Sequence, residues 1–479
     1  MDSAVKISTV AIVGGGPVGA LAAIYFAKEG WKVSLYELRE DPRMEETVAR
    51  QSKLPSKSIN LALSERGIHG LRGASPHLVE EILAQAIPMG ARMIHDTAGN
   101  QTSQFYDIHG KVFNAWAALG LYTAQHINSV DRDWLNTKLL IEAKKYPNVD
   151  LYFEHKLQYC DLRKNELVFL TRGAEAHVTA HLIVGADGAH SQVRQSLMKV
   201  ITQVMDFEQQ YIDSHWLELT ISPWTASDGE RDFKMEPHRL HIWPRQTFML
   251  IALPNSDKSF TCTLFMPKSM FDNLQSNEAL LEFFKRFFPD TIQLIGKDEL
   301  IRDFFRNPRS PLLSIKCFPY ILEDKCVILG DASHAMVPFY GQGMNCGFED
   351  VRLLFENIKT KRLKIALYDY QNSRKVDLNA ICDLAMQNFV EMRAGVTRRS
   401  YLLRKKIEEF LYARVPSLGV VPLYTMVSFS NKPYSEAKKK SERQGRLLTT
   451  AAYGGLLITG LGVFYAGALL ARRTAWAHV

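Results

Sequence analysis

Short all-apolar runs that end in glycine punctuate this chain. Val10 to Val13 runs into Gly14, Leu182 to Val184 into Gly185-Ala186-Asp187-Gly188, and Cys326 to Leu329 into Gly330-Asp331. Apolar runs this short, bounded by turn residues, predict buried strands. After the first run, Leu21 to Ala27 reads as helix and Lys32 to Glu37 as a second strand, which makes a β-α-β unit. Val168 to Leu170 predicts a further strand, and residues 55 to 90 read as mixed loop and helix. From 205 to 270 the pattern changes to β-favouring runs (WLELTI, RLHIWP, FMLIAL, FTCTLF) separated by turn residues. These predict an antiparallel sheet, read as a separate substrate layer. Helical patterning dominates from about 345 to 412, and no internal repeat is visible. The fold class is α/β.

Composition adds limits. The chain has 479 residues, 46% hydrophobic and 23% charged, as expected of a folded protein with two or three domains. Its net charge of +7 is spread thinly until the C-terminal part, where Arg398, Arg399, Arg404, Lys405, Lys406, Lys438, Lys439, Lys440, Arg443 and Arg446 gather. That charge leads into an apolar stretch rather than alternating with aromatics, which favours a membrane surface over nucleic acid. The six cysteines form no CxxC pair, so neither a metal site nor a disulfide framework is expected. The N-terminus does not read as a signal peptide. From Leu447 to Ala471 the 25 residues carry no charge, between Arg443 and Arg446 on one side and Arg472 and Arg473 on the other. This length suits a transmembrane tail anchor, with the body facing the cytosol. A buried core helix is the alternative.

Candidate chemistry sits where the apolar runs end. Gly14-x-Gly16-x-x-Gly19 lies between a strand and a helix, where glycines permit a tight turn and close approach of a pyrophosphate. Glu37 closes the second strand, where a carboxylate accepts bonds from an adenosine ribose and repels a 2′-phosphate. The pocket is therefore one for FAD or NAD and not for NADP. Asp187-Gly188 forms a second loop, which Arg194 would fix by hydrogen bonds. In GDASHAMVPFYGQGMNCGFED (330 to 350), Asp331 could bind a ribityl hydroxyl. Pro338, Gly341 and Gly343 there lead into a helix whose start presents unpaired N–H groups. His334 reads as structural. The order GxGxxG, DG, GD resembles the single-component flavoprotein aromatic hydroxylases, which implies an FAD-binding Rossmann-like domain.

Further blocks narrow the resemblance. KSINLALSERG (57–67), IPMGARMIH (87–95), HIWPR (241–245), NFVEM (388–392) and PLYTM (422–426) are similar to the kynurenine 3-monooxygenase family, from about residue 9 to the tail. The resemblance implies FAD contacts at Gly14, Gly16, Val18, Gly19, Tyr36, Glu37, Leu38, Arg39, Ala62, Arg132, Leu157, Asp187, Asp331, Pro338, Gly341, Gly343, Met344 and Asn345. It implies a kynurenine site at Arg92, Tyr106, Asn388 and Tyr424, with Glu391 and Met392 nearby. No residue is assigned to catalysis, because the flavin carries the chemistry. The expected organisation is an FAD-binding domain over 1–204 with substrate-site segments near 55–130, and a sheet domain over 205–300. A return to the FAD-binding domain follows over 301–375, then a helical region over 376–440 and the tail anchor over 447–471.

From the residues alone, Arg92 is either a planar clamp for a carboxylate or a surface ion pair. Tyr106 suits either the same carboxylate or the core, and Tyr424, which only the resemblance places at the site, also suits the core. Asn388, Glu391 and Met392 share one helix face, at i, i+3 and i+4. The expected reaction is hydroxylation of L-kynurenine to 3-hydroxy-L-kynurenine with NADPH and O₂, through a flavin C4a-hydroperoxide. With no second GxGxxG loop, NADPH would bind transiently on the surface. The family suggests the mitochondrial outer membrane. Two other readings stay open: a flavin monooxygenase or epoxidase on a membrane-dissolved substrate, and a non-enzymatic scaffold that keeps the dinucleotide fold. The chain departs from the family by about eleven extra residues at Ala115–Gln125, within the tolerance of a loop. Ser333 and Tyr340 replace the usual Ala and Phe.

Overall fold

The computed structural model describes residues 8–44, 60–106, 125–201, 205–395 and 399–451. Two large sheets organise it. The first has six strands, in the order 321–322, 326–328, 182–185, 9–13, 32–36 and 149–152. All neighbours are parallel except the edge hairpin of 321–322 with 326–328. Thr9–Val13, Leu182–Gly185 and Cys326–Ile328 are nearly all buried, as central parallel strands covered on both faces must be. Their C-terminal ends carry Gly14, Ala186-Asp187 and Gly330-Asp331, so the three motifs meet at one edge. Helix α1 (Pro17–Lys28) follows the first strand and buries Ala20 to Ala27 against the sheet. Helices α2 (Glu65–Ala74) and α3 (Gly343–Ile358) pack beside it.

The second sheet has seven strands, in the order 310–318, 206–221, 260–266, 248–254, 239–245, 91–95 and 101–105. All pairs are antiparallel except 239–245 with 91–95. This sheet is wider than the expected 205–300 span. Ala91–His95 and Gln101–Phe105 join one edge, and Ser310–Phe318 joins the other instead of returning to the flavin domain. The polar sequence QTSQF gave no apolar run to mark it as a strand. Helices within 268–306 cover one face.

Side chains split by strand alternation. Leu217, Leu219, Trp243, Leu250, Ala252 and Leu264 face those covering helices. Leu240, Ile242, Ile251, Leu253 and Phe265 face the rest of the molecule. Helix α4 (Leu363–Ala394) runs along this inner side and contacts the strands 239–245 and 310–318. Helix α5 (Arg399–Arg414) follows, and a last helix spans 434–451. Among the described residues, no helix is long and apolar enough to cross a membrane. Most of the 447–471 stretch, and residues 115–124 of the extra segment, lie outside the described residues.

Candidate functional site

A continuous cavity of about 720 Å³ lies between the two sheets. One end is lined by Gly14, Gly16, Val18, Tyr36, Glu37, Leu38 and Arg39. The middle is lined by Ala62, Arg132, Leu157, Asp187 and Asp331, then Pro338, Gly341, Gly343 and Met344. The far end is lined by Arg92, Met392 and Tyr424. Residues from all three glycine motifs therefore share one space with the expected substrate arginine.

The dinucleotide end follows from local backbone needs. Gly14 has φ +105°, and a Cβ on it would lie 2.3 Å from the Ala186 carbonyl oxygen. A Cβ on Gly19 would lie 2.0 Å from the Gly14 carbonyl, so Gly19 packs the turn from behind and does not line the cavity. Gly16 differs: a Cβ there would meet nothing within 4 Å. The protein needs no glycine at 16 for its own packing, but a pyrophosphate would. Gly16→Ala is expected to leave thermal unfolding unchanged and to lower flavin content after purification. Full flavin occupancy in that variant would contradict the assignment. Gly19→Ala should cost both stability and flavin.

Glu37 is partly engaged by the protein. One carboxylate oxygen accepts from Gly15 N at 2.7 Å, the other from Arg39 N at 3.0 Å. Asp187 caps the next helix, accepting from Gln192 N and Val193 N at 2.7 and 3.1 Å with Oδ2. Its Oδ1 is buried without a hydrogen-bond partner, and the residue lines the cavity. Burial is the main influence on this carboxyl and raises its pKa. Arg194 ties the loops as expected: Nη1 donates to Ala332 O at 2.7 Å and Nη2 to Ala189 O at 2.6 Å.

Asp331 opens a short helix, Asp331–His334, rather than ending the strand. Behind it lies a buried ionic network. Asp350 accepts from Gly330 N at 3.2 Å and pairs with His334 and with Arg374. Arg374 also bonds Glu349 at 2.9 Å, and Glu349 pairs with Arg66. Burial alone would raise the Asp350 carboxyl, but His334 and Arg374 outweigh it and hold it below the usual range. The ligand-type atoms of His334, Cys346 and Asp350 lie within 4.8 Å of one another, but these pairings already explain the cluster.

Asn345 also works from behind the wall. Its Oδ1 accepts from Ser64 N at 2.9 Å, and its Nδ2 donates to Ala62 O at 2.8 Å and Gly341 O at 2.7 Å. It clamps two walls together. Helix α3 starts at Gly343 with no side-chain cap, and α1 starts at Pro17 likewise uncapped. Both open N-termini meet the cavity and present unpaired N–H groups to it. With the open side of Gly16, this suits a phosphate at one end and an anionic ring edge at the other. These residues fit FAD.

At the far end Arg92 is only 4% exposed, on strand 91–95 beside Leu240. Its Nε has no hydrogen-bond partner. Its Nη1 lies 3.7 Å from Glu391 Oε1, an ion pair too long for a good hydrogen bond. Burial opposes its charge, but Tyr424, Tyr106 and Glu391 outweigh that and raise its pKa. The guanidinium sits 4.5 Å from the Tyr424 ring centre. Tyr424 stacks on Tyr106 at 5.0 Å and on Tyr340 at 5.7 Å. Tyr340 thus joins an aromatic stack next to the arginine, and it lines the cavity itself.

Three of the expected substrate residues stand one layer back. Tyr106, Asn388 and Glu391 do not line the cavity. Asn388 Nδ2 donates to Phe339 O at 2.6 Å and so holds the 338–340 turn. Glu391 Oε1 accepts from the Tyr401 hydroxyl at 2.5 Å. Sequence reasoning missed the apolar wall of Leu240, Ile251 and Leu253. Their strands are buried on both faces, so no alternation singled these positions out.

Comparison with known proteins gives the family. The profile of an FAD binding domain family matches residues 7–361. A kynurenine 3-monooxygenase of Neurospora crassa is 42% identical, covering 96% of this chain and 94% of that protein. One from Drosophila willistoni is 44% identical (95% and 94% covered), and one from Sus scrofa 41% (99% and 93%). The structure of 2-methyl-3-hydroxypyridine-5-carboxylic acid oxygenase superposes with a TM-score of 0.62 at 19% identity, covering 87% of this chain and 98% of that one. Likeness at that identity speaks for the fold alone. The chain belongs to the kynurenine 3-monooxygenase family and has its FAD-binding α/β fold, with mixed sheets and a helical C-terminal region.

Proposed function

We propose that this chain hydroxylates L-kynurenine to 3-hydroxy-L-kynurenine, with FAD as cofactor and NADPH and O₂ as co-substrates. The observation that carries this is the single cavity, with a glycine loop and one uncapped helix start at one end, a second uncapped start in the middle, and at the other end a buried arginine whose Nε has no hydrogen-bond partner. When bound, FAD supplies the redox chemistry, taking a hydride from NADPH and activating O₂ for transfer to an aromatic carbon. The protein's tasks are orientation, electrostatics and exclusion of water.

Arg92 is placed to grip the substrate carboxylate, with its Nε still free to donate. Leu240, Ile251, Leu253 and Met392 form an apolar slot for the aromatic ring. Asn388 fixes the turn that separates this slot from the flavin position, through the Phe339 carbonyl. The carbon to be hydroxylated lies ortho to the aniline amine, which donates electron density. No strong protein base is required. A wholly apolar substrate would leave Arg92 Nε buried without a hydrogen-bond partner, which argues against that class.

We further propose that 447–471 forms a tail anchor in the mitochondrial outer membrane, with the body on the cytosolic side. The uncharged length and the flanking arginines support this. Alkaline carbonate should then leave the full chain in the membrane pellet; release into the supernatant would contradict a spanning tail. The reaction is tested first by spectra. Purified protein should show flavin absorption that kynurenine perturbs saturably. A colourless protein that cannot be loaded with FAD would overturn the proposal.

A further inference from the structure

Helix α5 is inside out. Its inward side is polar: Tyr401 donates to Glu391 at 2.5 Å, and Lys405 Nζ donates to Gln104 Oε1 at 3.0 Å. Its outward side carries Leu403, Ile407 and Phe410, which are 62%, 43% and 60% exposed. These lie at i, i+4 and i+7, so they form one stripe. A surface helix of a globular protein normally turns such a stripe to the core.

Charge narrows the occupant. Among the described side chains of α5 the exposed residues are Leu403, Arg404, Lys406, Ile407, Phe410 and Arg414, apolar or basic, while Glu408 accepts from Arg404 Nε at 2.8 Å and Glu409 lies 4.0 Å from Lys405. A second copy of this chain would bring the same positive rim face to face with itself. An anionic lipid surface complements both the stripe and its rim. Position agrees: the last helix packs on α5, where a Cβ on Gly445 would lie 2.8 Å from Arg404 Nη2. The described part of that helix, to 451, already includes the first residues of the uncharged 447–471 stretch.

We propose that α5 seats the protein on an anionic lipid surface. Leu403, Ile407 and Phe410 enter the boundary between headgroups and acyl chains, and Lys406 and Arg414 pair with lipid phosphates. The polar side of the same helix holds Glu391, the ion-pair partner of Arg92, and Gln104, whose strand position lies opposite Arg92. The lipid-facing helix is thus also a roof beside the substrate end. This inference does not rest on the reaction proposed above, nor on whether 447–471 crosses the bilayer.

The test uses the full chain with a cysteine at Leu403 (L403C) or Phe410 (F410C), each labelled with an environment-sensitive fluorophore. The six native cysteines are buried, so labelling favours the new one. Phosphatidylcholine vesicles with and without phosphatidylserine are added. Emission at both positions should shift to the blue and rise several-fold, and brominated acyl chains should quench it. Phosphatidylserine should strengthen the response and salt should weaken it. Trp224→Cys, at a site 54% exposed on a different hairpin, should not respond. Unchanged emission at 403 and 410 overturns the proposal, whether or not the protein floats with the vesicles. So does a rise without vesicles that follows self-association. Carbonate extraction reports on the tail separately.

Discussion

Arg92→Ala is expected to raise the KM for kynurenine about ten- to a hundredfold, the scale of one or two hydrogen bonds to a charged group. Flavin content should not change, because Arg92 lies at the opposite end of the cavity from the glycine loop. The fold should also survive. Glu391 loses its cation but is about one-third exposed and keeps the Tyr401 hydroxyl. Arg92→Lys should recover only part of the loss. Lysine restores a charge but not the planar fork that meets a carboxylate with two bonds. Steady-state kinetics with kynurenine checks both variants, and an unchanged KM in Arg92→Ala would remove the carboxylate clamp from the account.

Arg374→Ala should act on the other end and far more broadly. Arg374 is 1% exposed and serves Glu349 and Asp350 together. Removing it leaves two carboxylates buried beside each other, and breaking a buried pair from one side costs about 3–5 kcal/mol. Asp350 also holds Gly330 N, so the flavin-facing loop loosens as well. Urea unfolding should show the loss, and the purified variant should lose flavin on gel filtration. The sign with pH follows from Asp350. Its carboxyl is held below the usual range, so its contribution is present at neutral pH. It disappears only as pH falls below about 4, through the depressed folded value. Wild-type stability with flavin loss alone would show that the network serves the loop and not the core.

Much of the flavin half was legible because its signals are local. VAIV, LIVG and CVI are short apolar runs ending in glycine or Gly-Asp, and each is a central parallel strand. The turn residues that follow must sit at one sheet edge, so order along the chain implied proximity in space. Gly19 and Asn345, expected as flavin contacts, instead act from behind the wall. The substrate half was less legible. Arg92, Met392 and Tyr424 meet only because a parallel pairing of 91–95 with 239–245 brings a distant segment beside the inner sheet face. Only the resemblance to a family singled them out.

The ionic network gave no sequence signal. Arg66, Glu349, Asp350 and Arg374 are ordinary charges at wide separations until packing buries them together. Helix α5 was misleading in another way. Its basic residues stood out in the sequence, but the helical pattern did not tell which way its apolar residues face. They are turned outward because Tyr401 and Lys405 take the inner side. Tyr340 sits in the stack with Tyr424 and Tyr106, a placement that sequence could not give.

The central claim is that one cavity holds the flavin and an amino-acid substrate with its carboxylate on Arg92. NADPH oxidation by the purified, FAD-loaded chain, followed with and without L-kynurenine, tests it most directly. The account predicts slow oxidation alone, marked stimulation by kynurenine, and 3-hydroxykynurenine formed in step with NADPH consumed. Oxidation that is indifferent to kynurenine, or stimulated without hydroxylated product, would contradict it.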